Sequence, residues 1–130
     1  MLGKCTDGGE QVIQTQINQH LIEWDKTTRA FKAAYVKAGE DKAQWEHERA
    51  QLMRRLMHGE ERLSKAAAEV EADANDHIYE LRLEAVRTGA ESEALKKRLD
   101  WCRSTADALR SEKVDEREAN RLYSENPAGA

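Results

Sequence analysis

Residues 52–63 read LMRRLMHGEERL. Leu52 and Leu56 close one apolar series, Gly59 falls just past it, and Glu60 and Glu61 open the next. Glycine beyond a helix end, followed by acids in a new first turn, is the arrangement of a C-cap and a fresh N-terminus. The chain is therefore expected to reverse near Gly59.

Upstream of this point Ile17, Trp24, Phe31, Ala38, Trp45 and Leu52 recur every seven residues, interleaved with Leu21, Thr28, Tyr35, Lys42, Arg49 and Leu56. Two such columns describe the seam of a coiled coil. The seam weakens at Lys42 and Arg49, whose long stems can lie along it with their charges in water. The seven-residue phase passes through Gly39 unbroken, so one helix is expected over about 10–57. A break at 39–41 is the competing reading.

Downstream, Leu63, Ala67, Val70, Ala74, Ile78, Leu81 and Ala85 continue the apolar spacing, with an additional four-residue step between Ala74 and Ile78. Such a stutter relaxes supercoiling. The heptad then resumes in Leu81, Thr88, Leu95, Cys102 and Leu109, flanked by Ile78, Ala85, Ser92, Leu99 and Ala106. A second helix over about 61–123 follows, crossing Gly89 in phase. Residues 1–9 (MLGKCTDGG) and 125–130 (ENPAGA), rich in glycine or holding the single proline, read as tails, leaving 10–124 as one domain.

Two long helices joined by a short turn must lie antiparallel for their stripes to meet. The expected fold is all-α, a long antiparallel helical hairpin. Counting from an apex at 59 or 60 sets Leu52 near Ala67, Trp45 near Ala74, Ala38 near Leu81 and Ile17 near Cys102. The expected core or interface comprises Ile17, Leu21, Trp24, Phe31, Tyr35, Trp45, Leu52, Leu56, Val70, Ile78, Leu81, Leu95, Leu99, Cys102 and Leu109. Ile13, Ile22, Val36, Met53, Leu83, Val86, Trp101, Val114 and Leu122 fall outside these stripes. Their number predicts a homo-oligomer, a dimer or a higher helical bundle, or docking on another protein.

Composition agrees with a thin, solvent-rich architecture. Of 130 residues, 35% are charged and 39% apolar, and the net charge is −4, which gives no general pull toward phosphate backbones or anionic lipid. Residues 1–58 hold nine basic and eight acidic side chains, residues 59–130 twelve and seventeen. The resulting +1 and −5 favour attraction between the arms. Cys5 and Cys102 are too few for a disulfide framework. No charged n-region with an apolar h-region opens the sequence and no apolar run approaches ~20 residues, so a cytoplasmic protein with free thiols and no membrane contact is expected.

Chemistry is sparse. The residues three before His20, His47, His58 and His77 are Ile17, Gln44, Arg55 and Ala74, so the Glu-x-x-His pairs of helical di-metal sites are missing. No Cys-x-x-Cys, His-Glu-x-x-His or Walker spacing occurs. Clustered acids such as Glu69, Glu71, Asp73, Asp76 and Glu80 read as a solvated face. No enzyme, cofactor or metal is expected. Lys96, Lys97, Arg98 and Arg103 form the strongest candidate nucleic-acid contact, though nearby acids such as Asp100 and Asp107 offset them.

The stretch AAAEVEADAND, leading through HIYELRLEAV to ALKKRLDWCRSTADALRSEKVDERE, resembles small helical coiled-coil proteins encoded by phages and prophages, often beside recombination genes. That resemblance implies an accessory protein acting through protein contacts in a bacterial or phage-infected cell, and it transfers no catalytic residue. A noncatalytic interaction protein is the expectation; a nucleic-acid accessory factor in recombination and an assembly or tail chaperone are the alternatives.

Overall fold

The computed structural model describes residues 3–125, with side chains described from 11 to 124. It is all-α: α1 spans Gly3–His58, α2 Lys65–Ala74 and α3 Asp76–Glu125, with no strand among the described residues. α1 passes through Gly39 and α3 through Gly89 without interruption.

Helix α1 begins at Gly3 instead of near residue 10, so most of the expected 1–9 tail is helical. Packing supplies the reason. Ile13 is buried rather than left outside the stripe, and once a turn is anchored each further residue adds one hydrogen bond. Residues 1, 2 and 126–130 of the expected tails lie outside the described residues.

The reversal occupies 59–64. Gly59 N–H donates to the Arg55 carbonyl at 2.8 Å and Leu63 N–H to the Leu56 carbonyl at 2.9 Å. A side chain on Gly59 would collide with that Arg55 oxygen, so glycine is required there by close approach. The left-handed residue is Arg62, φ 47°. A six-residue turn moves the facing partners along. Arg49 meets Asp73 and His20 meets Cys102, each three residues beyond the partner that an apex at 59 or 60 gives.

The second arm is not one helix over 61–123. It starts at Lys65, capped by Ser64, whose hydroxyl accepts from Ala67 N–H at 3.2 Å, and it is interrupted at Asn75. Asn75 is extended (φ −70°, ψ 127°), and its N–H donates to the Ala72 carbonyl, closing α2. Its side-chain oxygen accepts from Ile78 N–H at 3.1 Å, capping α3. Asparagine competes well for backbone groups at helix ends, so the additional four-residue step between Ala74 and Ile78 becomes a joint with two caps.

The contacts fall into two units, residues up to 28 with those from 97, and residues 29–96. Each is taken by itself. In the first, partners descend along α3 as α1 ascends: Gln14 with Lys113, His20 with the Cys102 carbonyl, Glu23 with Arg98. Ile13, Thr27, Cys102 and Ala106 are buried. In the second the order is Lys37 with Glu84, Glu48 with His77, and Arg49 with Asp73. Its core is Ala68 and Ala72, both 0% exposed, with Ile78, Thr88 and Ser92. Both segment pairs are antiparallel.

Candidate functional site

The facing column of α1 differs from the expected one. Ile17, Trp24, Phe31, Ala38, Trp45 and Leu52 are half-buried, but their companions are Ile13, His20, Thr27, Ala34, Asp41 and Glu48, on the opposite flank from Leu21, Thr28, Tyr35 and Lys42. Small side chains decide it: Thr27 and Ala34 permit a closer approach than leucine and tyrosine would. The buried threonines need no partner elsewhere, since Thr27 Oγ1 donates to the Glu23 carbonyl at 2.8 Å and Thr88 Oγ1 to the Glu84 carbonyl at 3.0 Å. Leu21 and Tyr35 are consequently exposed, as is Val70 on α2, at 48%, 66% and 69%. Ile78 and Cys102 are buried, and Leu56, Leu81, Leu95, Leu99 and Leu109 half-buried.

Within residues 29–96 this choice opens a groove of about 690 Å³ between Tyr35–Trp45 of α1 and Arg82–Glu93 of α3. Ala38, Gly39, Ala85, Gly89 and Ser92 line it with little side-chain bulk. A Cβ added to Gly39 or Gly89 meets no atom of the described residues within 4 Å. At one end the Arg82 guanidinium lies 5.7 Å from the Trp45 ring centroid, and Lys42 stands beside them; at the other end are Tyr35 and Glu93. The Trp45 indole N–H is buried with no hydrogen-bond partner among the described residues. Arg82 and Glu93 were not singled out by the sequence reading, because each sits one position beyond a seam residue. Val86, on the same rim, is 61% exposed.

Several charges of this unit outside the groove lining are paired. Arg49 Nε donates to Asp73 at 2.9 Å, and the guanidinium holds the Asp73 carboxyl below the usual carboxylate range while Asp73 raises Arg49. His77 at 3.1 Å likewise lowers Glu48. Asp41 at 3.2 Å, with Glu84 behind it, raises Lys37.

In the other unit His20 packs between Trp24 and Trp101, ring centroids 6.3 and 5.9 Å away, and its Nε2–H donates to the Cys102 carbonyl at 2.6 Å. Both aromatic contacts have packing as their sufficient explanation. A cavity of about 60 Å³ lies between Ile17, Leu21, Ala106 and Leu109. Of the candidate nucleic-acid contacts, Lys97, Arg98 and Arg103 are exposed here, with Arg98 held to Glu23 at 2.7 Å, and Lys96 is exposed in the 29–96 unit. Among the described residues no group of three or more His, Cys, Asp or Glu is placed to hold a metal ion. No described helix is long and apolar enough to cross a membrane. Comparison with protein-family models, curated proteins and solved structures finds no match.

Proposed function

We propose that the chain is a noncatalytic interaction protein, a coiled-coil helical hairpin whose outward apolar side chains bind protein, beginning with further copies of itself. One observation carries this. The large side chains that the seam leaves out, Ile22, Tyr35, Val36, Val86 and Trp101 among them, are each more than half exposed. Single exposed apolar residues are ordinary, but within residues 29–96 Tyr35 and Val86 line one groove, and exposed apolar side chains gathered on one surface mark contact sites. Obligate helical assemblies bury such faces against one another. An accessory role of the kind implied by the phage-protein resemblance needs nothing more.

Sedimentation equilibrium from low-micromolar to near-millimolar concentration tests it. The expected mass is a multiple of 14.8 kDa; a single-chain mass across the whole range refutes self-association. The nucleic-acid reading retains Lys97 and Arg103, which are exposed. Its test is fluorescence anisotropy with labelled single-stranded DNA. Binding that weakens steeply from low to moderate salt supports it, and no binding at low salt ends it.

A further inference from the structure

We infer that the groove centred on Gly39 and Gly89 is a self-pairing surface, onto which a second copy of the chain seats the same groove, end for end. This rests on the interaction reading above. The groove lining runs from Tyr35 to Trp45 on α1 and from Arg82 to Glu93 on α3. Because the two segments are antiparallel, Trp45 shares an end with Arg82, and Tyr35 shares the other with Glu93. One end is cationic, with Arg82 and Lys42, and the other carries the carboxylate.

Two ways of laying groove on groove are symmetric. A two-fold axis along the helices lays α3 on α1 of the partner subunit with like ends together, so Arg82 meets Lys42 of the partner subunit and Glu93 meets no cation of the groove. A two-fold axis across the helices, midway along the groove, exchanges the ends. Arg82 then faces Glu93 of the partner subunit. Charge selects the second arrangement.

The glycines agree with this placement. Each costs about 1 kcal/mol against alanine inside a helix, and nothing among the described residues occupies the space a side chain at 39 or 89 would take. Close approach of another backbone is what glycine permits there. Val86, which lines the groove and is more than half exposed, supplies apolar rim.

The test combines bulk and charge in the full chain. Gly39→Gln and Gly89→Gln fit the open space, so helical content by circular dichroism is expected to hold while the mass falls to that of one chain. Arg82→Glu is expected to weaken self-association roughly tenfold or more, and Arg82→Glu with Glu93→Arg to restore most of it. Arg82 and Glu93 lie roughly 16 Å apart along one helix, too far for a direct ion pair within a chain, so rescue requires a second copy. If the unsubstituted chain self-associates but the glutamine variants do so equally well, or the double exchange fails to rescue, the groove is not the contact and the wider interaction reading stands. A chain that is monomeric at every concentration overturns the groove pairing together with the self-association on which it rests.

Discussion

Arg49 and Asp73 illustrate what single residues contribute. Asp73 has its carboxyl pKa depressed in the folded chain by the Arg49 hydrogen bond. A depressed carboxyl adds stability above its unfolded value, near ~4, and loses it as pH falls through the folded value. Arg49→Gln is therefore expected to narrow the stability gap between neutral and acid conditions, read as a smaller change in urea midpoint from pH 7 downward through the carboxylate range. An unchanged midpoint profile would show that solvent already screens the pair. Gly59 is a stricter case. Because a side chain there strikes the Arg55 carbonyl, Gly59→Ala should destabilise by about 1–3 kcal/mol, measured by urea titration; a neutral effect would mean that the turn relaxes freely. The capping role of Gly59 was legible as a glycine after an apolar series. The left-handed conformation at Arg62 was not, since arginine gives no signal for it.

Among the elements, the joint at Asn75 carries the clearest consequence. One side chain and one backbone N–H close α2 and open α3, so Asn75→Ala should cost about 1 kcal/mol by loss of the cap. A rise in melting temperature instead would indicate that α2 and α3 fuse once the asparagine is gone. Its neighbour Ile78 is 3% exposed, and Ile78→Ala is expected to destabilise by about 2–5 kcal/mol, checked by the same titrations. The heptad phase located the Ala74–Ile78 step but described it as a stutter, because periodicity registers spacing and not hydrogen bonding. On α3 the columns led by Leu81 and Ile78 were read directly. On α1 one column was read and its companion was placed on the wrong flank, since hydrophobicity favoured Leu21 and Tyr35 while close packing favoured Thr27 and Ala34. Threonine satisfies its own hydroxyl in a helix, which hides it from a scan for apolar residues.

For the whole molecule, charge and mass are the accessible quantities. With a net charge of −4, and with Arg98 held to Glu23, binding to single-stranded DNA is expected to be absent at moderate salt. The all-α class was written plainly in the apolar spacing. The groove was not, because it depends on which flank of α1 turns inward and on two glycines that sequence periodicity merely passes through. That same inward turn is what leaves Tyr35 outside, so the surface it offers a partner follows from the seam and not from a separate motif.

Cys102 has 0% exposure, and its main-chain oxygen is held by His20. In a Cys5→Ser background, a thiol reagent can reach its sulfur only after local opening, so the rate of modification counts those openings. The sulfur thus serves as a built-in clock for breathing of the segments around it, one that should slow under any ligand gripping that region.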